Sequence, residues 1–390
     1  GVRSALGMRA SDLGESLGDK EFLFHVAMMP AIMAGFDSLT AGKLLLVVLL
    51  AFDAFVIAWL VYPIIGRWAI LLPLWLPFAA TQAALRTVRL RPETIALALF
   101  LLALWAMGRS RFRWLAVIAF IFTLTYTAFH ALLGLCGFVF LQRGLVRGRW
   151  QPAMVLYPSL GAGLALVVHP HSPHHLVIWV RQTFDYFRLK ASLDIGPEIL
   201  PLTTDIVLRA NIVLLLSLVV LWLARTKKET DAEAQAVARD IADAFGVGAL
   251  VFGGLFMLMA RFSIYFVPVL VVWFLWTLES RGEKPGRTFE VGRFKLPLAV
   301  ALILVGLLGV VDANTQLRNY LRRTDAGPQQ VVVQDHVDLS KALPEGAHVA
   351  ANWMDTPVYL HWAPQGRYLN VLDPVFQVVP YPEIYRVQKA

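Results

Sequence analysis

FGVGALVFGGLFMLMARFSIYFVPVLVVWFLWTL, residues 245–278, carries one charged side chain, Arg261, near its middle. A membrane-spanning helix needs about 20 apolar residues, so this run is too long for one span and short for two. Two short, tilted spans meeting near Arg261 are expected, with Pro268 helping the second to bend. A cation at the centre of a lipid-facing helix costs at least roughly 2.5–3.5 kcal/mol, which sends Arg261 to a membrane face or a polar cavity. Held there beside Tyr265, its guanidinium is a fork for a phosphate or a carboxylate. The alternative is an arginine that snorkels to a lipid headgroup.

Outward from this run, the composition agrees with it. The chain has 390 residues, 58% hydrophobic and 16% charged, with 12 Trp and 24 Phe. That describes a multi-span helical membrane protein and excludes a soluble domain. The net charge of +8 is not read as a nucleic-acid footprint, because Lys and Arg gather in short loops between apolar runs. The lone cysteine, Cys136, lies in an apolar run and excludes a disulfide framework or a thiolate metal site.

In chain order, residues 1–20 are polar and read as an outer loop. EFLFHVAMMPAIMAGF, from Glu21, is too short to span, is interrupted at Pro30 and carries His25, which suits an interfacial helix. Spans are expected at 44–65, with Asp53 inside it, then at 68–85, 94–107 and 154–168. The run 114–141 has room for two short, broken helices. Residues 169–205 form the largest internal loop. A span follows at 206–224, then a charged, helical solvent segment (RTKKETDAEAQAVARD), the paired spans about Arg261, a basic linker (SRGEKPGRTFEVGRFK) and a last span at 296–311. This makes about ten spans. From residue 313 hydropathy drops; AHVAANW and RYLNVL read as strands with TPVYLHW a helix between them, part of a small α/β domain at 313–390.

Cation placement orients these spans. With residues 1–42 outside, the inner connections hold Arg109, Arg111, Arg113, Arg143, Arg147, Arg149 and the basic segments after 224 and 280. Inner cations outnumber those of the outer connections roughly two to one, as the positive-inside rule requires. The loop 169–205, Arg261 and the C-terminal domain then share the outer side.

This arrangement resembles the GT-C superfamily of integral-membrane glycosyltransferases: many short spans, a polar outer loop running into an interfacial helix, and a late outer Arg with a Tyr nearby. Local stretches add to the resemblance: DKEFLFHVAMMP (19–30), RLRPETIALALFLLAL (89–104), ARFSIYFVPVL (260–270) and NVLDPVFQVVPYPEIYR (370–386) look like a bacterial branch of that superfamily. The resemblance implies a polyprenyl-phosphate-linked sugar donor, catalysis at the outer face of the plasma (inner) membrane, and an acidic outer-loop residue that activates the acceptor. Such proteins have a first span before that loop. This chain starts at Gly1 with no span before residue 43, so a missing N-terminal piece is expected, and no signal peptide is read. Among Asp12, Glu15 and Asp19, Asp19 is the candidate because it directly precedes the interfacial helix; a solvated loop carboxylate is the alternative.

Other candidates follow from charge set against the orientation rule. Arg86, Arg89 and Arg91 lie outside, just before Glu93, and fit either a lipid pyrophosphate or a salt bridge to Glu93. His169, His171, His174 and His175 form HPHSPHH. Their spacing is compatible with a divalent cation, yet no carboxylate or thiolate lies among them, and no metal ligand or cofactor is assigned. Arg181, Arg188 and Lys190 alternate with aromatics in WVRQTFDYFRLK, as on an interfacial segment.

The reading is a mainly α, polytopic transmembrane bundle over residues 1–312, with outer loops 1–42 and 169–205 and an outer α/β domain at 313–390. Its expected function is transfer of a sugar from a polyprenyl-phosphate donor to an acceptor the sequence does not identify. Asp19 is the candidate base; Arg261, Tyr265, Arg86 and Arg91 are the donor-phosphate candidates. His25, His169 and Arg181 are further outer-loop candidates. The alternative is a non-catalytic or transport protein on the same scaffold that binds a lipid-linked anion.

Overall fold

The computed structural model describes residues 21–80, 83, 86–87, 89–185, 188, 204–229, 231–285, 288–291, 294–297, 300, 303–309, 311, 315, 338, 341–349, 363, 365 and 367–368. The chain divides into two compact units, one of residues 21–168 with 197–315, the other of residues 1–20, 169–196 and 316–390.

The larger unit is a helical bundle. Two short helices, α1 (Phe22–Val26) and α2 (Met29–Met33), break around Pro30, which sits at the start of the second, where its missing N–H costs nothing. Helix α3 (Ser38–Ile65) starts earlier than hydropathy suggests. Asp37 caps it, accepting the Thr40 backbone N–H at 3.1 Å and so satisfying an otherwise orphaned donor. A tight helical turn at Gly66–Ile70 leads into α4 (Leu71–Ala79). Then come α5 (Glu93–Gly108), α6 (Phe112–Thr125), α7 (Phe129–Arg147) and α8 (Ala153–Val168). The run 114–141 thus falls into two helices, parted at residues 126–128.

After α9 (His174–Val180), which belongs to the smaller unit, the bundle resumes with α10 (Thr204–Leu223). The residues that seemed a charged solvent segment divide. Arg225–Lys227 forms β1, and α11 runs unbroken from Ala232 to Leu258, carrying its acidic start straight into the apolar bundle. After a short helical turn at Ala260–Phe262, α12 (Ser263–Ser280) packs back against α11. The basic linker also holds strands: β2 (Glu283–Pro285) pairs antiparallel with β1, while β3 (Thr288–Val291) and β4 (Phe294–Pro297) form a second antiparallel pair. Periodicity could not reveal strands three or four residues long.

Among the described residues four segments are long and apolar enough to cross a membrane, Thr40–Ala79, Phe129–Arg147, Ala232–Leu258 and Ala260–Ser280; further apolar helices are shorter. Small residues let them approach. A Cβ on Gly161 of α8 would stand 2.0 Å from the Ala116 carbonyl oxygen of α6, and one on Gly248 of α11 would stand 2.8 Å from Leu104 of α5. In the smaller unit, β5 (His348–Val349) and β6 (Arg367–Tyr368) pair in parallel, within AHVAANW and RYLNVL. TPVYLHW lies outside the described residues.

Candidate functional site

Where α11 gives way to α12, Met259 is extended, with φ −151° and ψ 120°. This break sets Arg261 at one end of the bundle instead of within the apolar layer, as its charge demands. Beneath it lies an aromatic cluster drawn from four helices. Phe100 of α5 meets Phe122 of α6 at 4.8 Å between ring centroids, Phe252 of α11 at 4.9 Å and Tyr265 of α12 at 5.1 Å. Phe122 in turn contacts Tyr126. Edge-to-face packing of this kind fixes ring orientation, so the cluster acts as a rigid floor.

Above the floor, one carboxylate joins two arginines. Glu93, 5% exposed, sits in the first turn of α5, where the helix N-terminus favours negative charge. Its Oε2 accepts from Arg86 Nη2 at 3.0 Å, and its Oε1 accepts from Arg261 Nη2. The same Arg261 nitrogen donates to the Tyr126 hydroxyl at 3.3 Å. Arg91 adds its field to Glu93. The Arg261 side chain remains 28% exposed, and its Nη1 and Nε make no hydrogen bond among the described residues. Glu21, just before α1, accepts the Thr127 hydroxyl at 3.5 Å and lies within the electrostatic reach of Tyr126. Arg261 is therefore an oriented fork anchored through one nitrogen, with a second carboxylate close to its Tyr126 partner.

The remaining sequence candidates divide. Arg86 takes the salt bridge to Glu93, and at 7% exposure its guanidinium is no open phosphate ligand. Tyr265 is 2% exposed and belongs to the floor; its hydroxyl neighbours that of Tyr126 without meeting hydrogen-bond geometry. It lies beneath Arg261, within its electrostatic reach. His25 is exposed on α1, edge-on to Phe24. Asp53 is buried in α3 near the backbone of Ala98, apart from the Arg261 cluster. Asp19 lies outside the described residues, as do the side chains of Arg181 and His174.

In the smaller unit, His169 and His175 stack with ring centroids 4.1 Å apart and planes 19° from parallel. The His171 backbone N–H donates to His169 Nδ1 at 3.2 Å. Stacked faces do not aim ring nitrogens at a common point, and among the described residues no three metal donors gather. Burial lowers the pKa of His175.

Sequence reasoning did not single out Glu21 or Tyr126, and it weighed Glu93 only as a salt-bridge partner for Arg86, Arg89 and Arg91. Tyr126 had a signal: Thr123, Thr125, Tyr126 and Thr127 interrupt an otherwise apolar run. The fold and site together define the class, a mostly helical protein with several helices long and apolar enough to cross a membrane and a charged cluster capping one end of its bundle. No protein-family model matches the sequence, and no curated protein is significantly similar to it.

Proposed function

We propose that this protein is a membrane glycosyltransferase of GT-C type that takes a sugar from a polyprenyl-phosphate donor at the outer face of the membrane. The observation that carries the reading is Arg261, whose guanidinium is fixed by Glu93 and Tyr126 through Nη2 while Nη1, unbonded among the described residues, is left to donate to a phosphate oxygen. In the transfer, the acceptor hydroxyl oxygen bonds to the anomeric carbon as the bond from that carbon to the phosphate oxygen breaks. Negative charge grows on the departing phosphate, where a pre-oriented guanidinium stabilises it. The acceptor's proton goes to a carboxylate. Glu21 suits that role, accepting the Thr127 hydroxyl and lying within the electrostatic reach of Tyr126.

The test is calorimetric binding of a short-chain polyprenyl phosphate hexose to purified wild type, Arg261→Lys and Arg261→Ala, with release of polyprenyl phosphate followed in parallel. Arg261→Lys keeps charge but loses the fork, and is expected to weaken binding about ten- to a hundredfold. Arg261→Ala should weaken it further, with folding intact. Equal affinity in all three would make Arg261 a lipid anchor. Binding without release would favour a carrier of lipid-linked anions over an enzyme.

A further inference from the structure

We infer that Glu93 is a built-in counter-charge that separates product from donor, an inference resting on the glycosyl-transfer reading of the Arg261 site. A sugar linked to a lipid through one phosphate is a phosphodiester with a single negative charge. Once the sugar leaves, the lipid phosphate is a phosphomonoester with a charge of about −2 at neutral pH. The same fork must hold the first and let go of the second.

Glu93 stands where it can make that distinction. Its carboxylate on Nη2 and a phosphate on Nη1 would share one guanidinium, close enough to repel across its width. Coulomb repulsion scales with the ligand's charge, so the dianionic product suffers about twice the penalty of the monoanionic donor. Arg86 is what allows Glu93 to act this way. Bonded to Oε2 at 3.0 Å and itself 7% exposed, it keeps the carboxylate in place when a ligand draws on Arg261. An ion pair that served only the fold would change stability on removal but would not change one ligand relative to the other.

The probes are methyl dodecyl phosphate, with one charge, and dodecyl phosphate, with two at pH 8, titrated calorimetrically into the detergent-solubilised protein. Glu93→Gln keeps the shape and an acceptor oxygen but removes the charge. It is expected to tighten dodecyl phosphate roughly tenfold more than the methyl ester. Glu93→Asp, which retains the charge, should keep the wild-type ratio of affinities. If Glu93→Gln fails to fold, wild type carries the comparison by pH: dodecyl phosphate should approach the affinity of the methyl ester at pH 5, where it too has one charge, and fall behind it at pH 8. An unchanged ratio in the neutralised variant overturns the inference, while loss of both probes in Arg261→Ala would leave the phosphate site itself standing. If Arg261→Ala binds both probes like wild type, the phosphate reading fails first.

Discussion

At one end of the helical unit Arg147 faces two carboxylates; at the other, one carboxylate faces two arginines. Arg147 bonds Asp240 through Nη1 and Asp243 through Nη2, and Arg149 reaches Asp240 at 3.6 Å. Arg143, 3% exposed, donates to the Gln151 side chain at 3.1 Å and to the Asp240 carbonyl at 3.2 Å. Nearby, Lys228 pairs with Glu279 at 2.7 Å and Arg225 with Glu283 at 3.3 Å. Acceptors are plentiful there: Arg147 ties the end of α7 to α11, Lys228 ties the residue after β1 to the end of α12, and Arg225 ties β1 to β2. At the Arg261 end Glu93 is shared, and part of one guanidinium makes no hydrogen bond among the described residues. The first arrangement is a lock. The second holds one guanidinium in place through a single nitrogen and leaves it partly exposed.

The comparison predicts unequal costs for removing a carboxylate. Glu93→Ala removes the buried carboxylate that Arg86 and Arg261 share, and removing one member of a buried ion pair costs about 3–5 kcal/mol. Thermal unfolding of the purified protein in detergent should show this as the largest loss among single carboxylate removals in the two clusters. A loss no greater than that of Asp240→Ala would break the contrast between the two ends.

At the lock, redundancy should make single changes mild and the double change disproportionate. Asp240→Asn leaves Arg147 with Asp243, and Asp243→Asn leaves it with Asp240. These side chains are 20–25% exposed, so each single change should cost about 1 kcal/mol or less, solvent screening included. The double variant should cost more than the sum, because only then does Arg147 lose both partners. None of the three should alter affinity for a phosphate probe; a tenfold loss would mean that the two ends are coupled.

Much of this division could be read in the chain, and what could not has physical reasons. The segments assigned by charge to the inner side, around 109–113, 143–149, 225–240 and 281–285, gather at the lock end, since short basic loops leave a plain compositional mark. Arg261 was visible because a cation in a long apolar run is costly. Its partners were not. Glu93 lies 168 positions earlier and Tyr126 lies 135 positions earlier, and nothing in a single sequence announces which polar groups will meet across that distance. Tyr265 was misleading for a related reason. Four residues from Arg261 on one chain suggests a common ligand, but the helical turn between them sends Tyr265 into the aromatic floor. Asp240 seemed solvated because its segment is charged, whereas the helix it belongs to continues into the bundle and presents it, with Asp243, to Arg147.

The mildest test falls on Tyr126, which distinguishes a site from a lock without disturbing an ion pair. Its hydroxyl is the second acceptor on Arg261 Nη2, and its ring is packed against Phe122 at 5.8 Å between centroids. Tyr126→Phe keeps the ring and removes only the oxygen, so the aromatic floor should hold. Glu93 still bonds Arg261, but the guanidinium loses the contact that fixes its plane from a second direction. A hydrogen bond to a charged group contributes about 1.5–3 kcal/mol, and at 3.3 Å on a partly exposed side chain the low end applies. The expected outcome is a loss of roughly tenfold in affinity for methyl dodecyl phosphate, with little change in unfolding temperature. The matching change at the lock, Gln142→Leu, removes the 3.4 Å contact to Asp243 and should leave that affinity untouched. If Tyr126→Phe lowers stability without changing affinity, the hydroxyl braces the fold and Arg261 is oriented by Glu93 alone.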